Sequence, residues 1–84
     1  MANQTMTQPQ TTCLTRLPRG TRARVERADL PSEERKLLAA MGIAVESVLK
    51  VRRAGRQCVV EVDSMRVALA GPIARCLHVT PLAG

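Results

Sequence analysis

The stretch SEERKLLAAMGIAVESVLKV, from Ser32 to Val51, predicts a short helix that is followed directly by a strand. Ser32 is a candidate N-cap, because serine side chains accept hydrogen bonds from the free amides of a first helical turn. Glu33 and Glu34 place negative charge in that turn, where the helix dipole favours it. We therefore expect the helix to begin near residue 32.

The apolar residues of this stretch change their period after a glycine. Leu37, Leu38 and Met41 recur at the spacing of one helical face, and Gly42 can adopt the left-handed conformation that ends a helix. In a domain of this size we expect the three apolar residues in the core, with a docking stripe for a partner helix as the alternative. A period of two, typical of a strand, then follows in Ile43, Val45, Ser47, Leu49 and Val51.

Short runs of alternating residues on both sides of the helix predict further strands. We predict strands over 21–27, about 47–53, 57–63 and 65–70, and a last short strand from residue 77. A single tight turn over 73–75 precedes the last strand. Five short strands with short links and one helix favour a closed or nearly closed small barrel, because closure removes exposed edges. We assign residues 13–84 to this domain and expect the polar residues 1–12 to be a disordered tail.

The composition limits the classes of partner. The 84 residues include no Phe, Tyr or Trp, which disfavours stacking platforms for single-stranded nucleic acid and grooves for proline-rich peptides. We therefore expect nucleic acid not to be the partner. The formal net charge of +6 indicates an anionic partner, with solubility as the alternative explanation.

The cysteines point to a reducing compartment. Cys13, Cys58 and Cys76 are far apart and odd in number, so they form neither a zinc-ribbon spacing nor a disulfide framework. We expect Cys58, which shares a strand face with apolar residues, in the core, and Cys13 as a flexible exposed thiol. The sequence has no signal-peptide pattern and no apolar run of about 20 residues, so we expect a cytoplasmic protein without a transmembrane segment of its own.

One pair of residues has metal-binding chemistry. Strand alternation turns Cys76 and His78 to the same exposed face, and thiolate and imidazole are good ligands for zinc or ferrous iron. Two ligands are half a site, so Glu61, Asp63 or another molecule has to complete the coordination. The alternative is that both are ordinary surface residues. No catalytic arrangement accompanies His78, and we expect no enzymatic activity.

Basic residues form the candidate partner surface. Arg35 and Lys36 lie on the exposed side of the helix, and we place Arg52, Arg53 and Arg56 on the turn after the second predicted strand. We predict that these five residues contact the partner, with a solvated charged face as the alternative.

Over residues 14–79 the chain resembles the FeoA family, the small cytoplasmic proteins of bacterial ferrous iron uptake. The residues that carry the resemblance are Leu14, Leu17 and Gly20 in LTRLPRG, Leu38 and Gly42 in LLAAMGI, Leu49 and Val51 before Gly55, Val60 and Val62, Val67-Ala68-Leu69, Ala74, and Leu77 with Val79. The chain departs from the family pattern at Val45-Glu46, where members usually carry Pro-Gly. It also departs at Ala70, where many members carry arginine.

The resemblance implies a fold and a function. The fold is a mostly β, five-stranded SH3-like barrel with one short helix, which also occurs at the C-terminus of iron-dependent repressors. The function is that of an accessory protein that binds the cytoplasmic GTP-binding domain of a membrane ferrous iron permease, and so reaches the inner face of the membrane through its partner. No cofactor is required. The alternatives are a regulatory module whose copies are bridged by metal into a homodimer, and a small basic nucleic-acid-binding barrel.

Overall fold

The structure, a computed structural model, describes residues 11–54 and 57–82 as a mostly β domain. Its six strands are Thr12–Cys13 (β1), Arg22–Ala28 (β2), Val48–Arg53 (β3), Gln57–Val62 (β4), Met65–Ala70 (β5) and Leu77–Leu82 (β6). The helices are Ser32–Ala40 (α1) and the single turn Gly71–Ala74 (α2), together with a 3-10 turn at Leu14–Arg16. The mostly β prediction and the helix near residue 32 are confirmed.

The strands form one antiparallel sheet in the order β1-β6-β2-β3-β4-β5. The prediction of five strands missed β1, because two residues are too short to show a period. The predicted tail over 1–12 overlaps β1 at its last residue, Thr12, which pairs with Val79; residues 1–10 lie outside the described part of the chain.

The barrel is open rather than closed. Within the described residues β1 and β5 are the two end strands of the sheet. Helix α2 contacts β5, β4 and the 3-10 turn that follows β1, so it lies between the two ends of the sheet. A short helix thus covers the opening that strand pairing leaves.

The core is built from aliphatic side chains. Leu14, Val25, Val51 and Leu77 are completely buried and come from four separate elements of the chain. Cys58 is 1% exposed, which confirms its prediction as a core residue, and burial raises the pKa of its thiol.

The start of α1 differs from its prediction. Ser32 is the first helical residue rather than the N-cap; Pro31 holds the cap position, and no side chain caps the helix. The amide of Arg35 donates to the carbonyl of Pro31 at 3.0 Å, so the backbone alone begins the helix. The N-cap prediction for Ser32 is therefore wrong.

The end of α1 is as predicted at Gly42, which has φ +93°. The amide of Gly42 donates to the carbonyl of Ala39 at 3.0 Å, and the amide of Ile43 donates to that of Leu38 at 2.9 Å. This is the Schellman pattern, and the buried side chains of Leu38 and Ile43 are its usual apolar pair. A Cβ at Gly42 would also lie 3.1 Å from Val62 Cγ1, so a larger residue would press on Val62 as well as strain the backbone.

The helix and β3 are separated by a turn, so the predicted direct passage into a strand is wrong. The amide of Ser47 donates to the carbonyl of Ala44 at 2.9 Å, and Glu46 has φ +78°. These features are those of a type II turn with Val45 and Glu46 at its centre. The amide of Glu46 donates to the carbonyl of Val25 at 2.7 Å, and this hydrogen bond holds the turn against β2.

The apolar face of α1 is only partly buried. Leu38 is 5% exposed, whereas Leu37 is 65% and Met41 41% exposed, so the core prediction holds only for Leu38. A helix of nine residues on a small sheet reaches the core through one row of side chains. Leu37 and Met41 instead line a groove between α1 and β5.

Candidate functional site: a basic sheet face

Four arginines meet at one open concavity on the outer face of the sheet. Arg19, Arg52, Arg53 and Arg66 line it, and Val59 forms part of its floor. They come from the loop before β2, from β3 and from β5. The concavity of about 650 Å³ is therefore built by tertiary structure, not by a run of neighbouring cations.

A β-bulge places two consecutive arginines on this one face. The β3–β4 pairing runs through Val51 opposite Val60 and then through Arg53 opposite Val59, so Arg52 is the extra residue of the bulge. In a regular strand two successive side chains point to opposite faces. Here both Arg52 and Arg53 line the concavity while Val51 remains in the core.

A turn brings Arg19 to the same place. Gly20 has φ +91°, a conformation that glycine adopts at little cost, and the amide of Thr21 donates to the carbonyl of Pro18 at 3.2 Å. The amide of Gly20 donates to the carbonyl of Val51 at 2.7 Å, which joins this turn to β3. Arg19 is thereby held beside the bulge.

The strand register extends the basic face across the sheet. Arg22 lies opposite Lys50, Lys50 lies opposite Glu61, and Glu61 lies opposite Arg66. Directly opposed residues share a face, so three cations and one carboxylate form a row over four strands. The Glu61 carboxylate also forms an ion pair with Arg52, at 3.6 Å.

The structure divides the predicted partner surface into two. Arg52 and Arg53 lie in the concavity, whereas Arg35 and Lys36 line a separate groove with residues of α1 and the turn after it. Arg56 lies outside the described residues. The sequence reasoning missed Arg19 and Arg66, which are distant in sequence; the signal that finds Arg66 is the hairpin register that sets it opposite Glu61.

The predicted metal ligands lie near one carboxylate. His78 Nε2 is 3.0 Å from Asp29 Oδ2, and the amide of Asp29 donates to the carbonyl of Cys76 at 2.9 Å. Leu77 and Val79 are fully buried, while Cys76 and His78 are partly exposed. In the part of the chain that is described, no three or more His, Cys, Asp or Glu side chains are grouped as a metal site requires.

Cys13 is more constrained than a flexible exposed thiol. It is half-buried in β1, and its Sγ lies 3.1 Å from Thr15 Oγ1 and donates to the carbonyl of Arg75 at 3.2 Å. The prediction of a flexible exposed thiol at Cys13 is therefore wrong.

No helix in the described ranges is long and apolar enough to span a membrane.

Comparison with solved structures shows the same fold in iron-related proteins. A crystal structure of an iron uptake regulatory protein (FeoA) matches with a TM-score of 0.79 and 19% identity, over 87% of this chain and 99% of that one. The FeoA protein from Chlorobium tepidum matches with a TM-score of 0.80 and 28% identity, over 87% of this chain and 72% of that one. These matches confirm the SH3-like fold.

A domain of the same fold also forms part of a transcriptional repressor. A manganese-dependent transcriptional repressor matches with a TM-score of 0.78 and 26% identity, over 89% of this chain but only 44% of the repressor. No curated protein matches the chain significantly. The model of the FeoA domain matches residues 12–81, which is nearly the whole described structure. This chain therefore belongs to the FeoA family, which is associated with ferrous iron transport.

Proposed function

We propose that this chain is a non-enzymatic accessory protein that binds the cytoplasmic GTP-binding domain of a membrane ferrous iron permease. The observation that carries the proposal is the FeoA match over residues 12–81. A binding role is supported by the four arginines, Arg19, Arg52, Arg53 and Arg66, that line one open concavity on the sheet. Such a surface speeds encounter with an acidic partner.

Direct binding is the test. The purified cytoplasmic domain of the permease is immobilised, and the full chain is passed over it with GTP, with GDP and without nucleotide. We expect saturable, reversible binding that an unrelated domain of similar acidity does not reproduce. Absence of binding in all three nucleotide states would contradict the proposal.

A metal-linked dimer is a second candidate, favoured by the position of two ligand side chains. Cys76 and His78 are partly exposed and lie on either side of the buried Leu77, where β6 begins and where Asp29 contacts both residues. We propose that this pair supplies half of a zinc or ferrous iron site and that a second copy supplies the rest. The proposal predicts a metal-dependent homodimer that needs no metal to fold.

A further inference from the structure

We propose that the outer face of β2 to β5 docks an acidic protein surface, and that Arg19, Arg52, Arg53 and Arg66 are its central contacts. The inference rests on the proposed function, because it names the surface chemistry of the partner domain that this chain binds. It also locates the interface on the sheet and excludes the α1 side with Arg35 and Lys36.

The first argument is the charge of the face. The four arginines of the concavity are joined by Arg22 and Lys50 of the cross-strand row. The same face carries two carboxylates, Glu61 of β4 and Glu26 of β2, and Glu26 is already paired with Arg24 at 2.9 Å. Cations held this close repel one another, and a docked anionic surface removes that repulsion. Arg53 and Arg66 are exposed and, among the described residues, neither forms an ion pair. Their guanidinium groups are available to a partner.

The second argument is geometry. Arg19 is held by the turn at Gly20, and Arg52 and Arg53 are held by the bulge, so three guanidinium groups start from fixed backbone positions. A planar guanidinium pairs with a carboxylate through two parallel hydrogen bonds. Backbone positions that are set before binding reduce the ordering cost of the interface. The face is therefore organised to meet several carboxylates at once.

The third argument distinguishes a protein from a nucleic acid or a lipid surface. Glu61 lies between Lys50 and Arg66 in the middle of the row. A nucleic-acid backbone or an anionic bilayer presents negative charge everywhere along its surface, so either would set negative charge against this carboxylate. A folded protein can place a neutral or basic side chain opposite Glu61. The absence of aromatic residues from the sequence also removes the stacking contacts that single strands use.

Two charge-matched variants test the location of the interface. Arg53→Glu with Arg66→Glu changes the basic face, and Arg35→Glu with Lys36→Glu changes the α1 side; each pair lowers the net charge from +6 by 4 to +2. We expect the first variant to bind the permease domain at least about tenfold more weakly at 0.1 M salt, and the second to stay within about twofold. Equal losses would show that only net charge matters, and undiminished binding by the first would exclude this face.

An independent probe separates this inference from the proposed function. An acidic peptide of about ten aspartate and glutamate residues is titrated into the labelled full chain and followed by amide chemical shifts. We expect shifts at residues 52, 53, 59 and 66, with those of α1 unchanged, even if the permease domain itself fails to bind. Shifts on α1 alone, or tighter binding to duplex DNA or anionic vesicles than to the peptide and the permease domain, would overturn the assignment of a protein partner.

Discussion

At the scale of single residues, Glu46 holds a backbone conformation that suits glycine. It has φ +78° at the second central position of the turn from Ala44 to Ser47. The family pattern of Pro-Gly at Val45-Glu46 fits this turn, since type II turns favour proline and then glycine at these positions. Val45-Glu46 in place of Pro-Gly therefore leaves the turn unchanged and strains the backbone at Glu46.

Replacing Glu46→Gly should stabilise the protein. Left-handed backbone costs a residue with a side chain roughly 1–2 kcal/mol, and the greater freedom of glycine in the unfolded chain returns part of this. We expect a gain of about 0.5–1 kcal/mol in the free energy of unfolding, measured by urea denaturation. Glu46→Ala is the control, because it removes the charge and keeps the strain. An equal gain in both variants would assign the effect to charge.

Two neighbouring leucines of α1 should differ sharply in their contribution to stability. Leu38 is 5% exposed in the core, and Leu37 is 65% exposed. Leu38→Ala should lower the free energy of unfolding by about 2–5 kcal/mol because it leaves a cavity. Leu37→Ala should change it by less than about 0.5 kcal/mol. A large loss in the second variant, by the same denaturation assay, would mean that Leu37 is buried.

At the scale of elements, a carboxylate joins β2 to β6. The hydroxyl of Thr80, itself buried, donates to Glu26 Oε2 at 2.8 Å, and Arg24 Nε donates to the same oxygen at 3.0 Å. These two hydrogen bonds hold the pKa of Glu26 below its ordinary value of 4.5. A carboxyl whose pKa is lower when folded adds stability above its unfolded pKa, and the contribution is lost as pH falls through the folded pKa.

Glu26→Gln should therefore reduce the acid sensitivity of the fold. Thermal unfolding followed by circular dichroism at pH 7 and at several values below 4.5 measures the effect. We expect the melting temperature of the native chain to fall more steeply in acid than that of the variant. Glu33→Gln, in the exposed first turn of α1, should keep the native slope. Identical slopes for the native chain and Glu26→Gln would contradict the assignment.

At the scale of the whole molecule, we predict that zinc binding by Cys76 and His78 converts the monomer to a dimer. A site with two ligands from one chain is completed most simply by a second copy. Zinc should therefore convert monomers to dimers in sedimentation experiments, and acid should reverse this, since protons compete with the metal for thiolate and imidazole. Cys76→Ser and His78→Ala should each prevent it. If zinc leaves the native chain monomeric, or dimerises both variants, these are ordinary surface residues.

The sequence was sufficient for the features that depend on neighbouring residues. Aliphatic residues at period two placed most strands to within about two residues, and Gly42 marked the end of α1 because only glycine readily adopts its conformation. The burial of Cys58 followed from the apolar residues on the same face of β4. The resemblance to the family predicted the fold correctly because the strand periods and the helix-ending glycine agree with that fold along the whole domain.

Only the tertiary structure decided where the charges meet and which apolar residues stay exposed. The bulge reverses the alternation that would separate Arg52 from Arg53, and the pairing of distant segments brings Arg19 and Arg66 to them. Likewise, the way α1 packs on the core buries Leu38 and leaves Leu37 exposed. Periodicity describes one element at a time, whereas a docking face and a core boundary arise from the register and packing between elements.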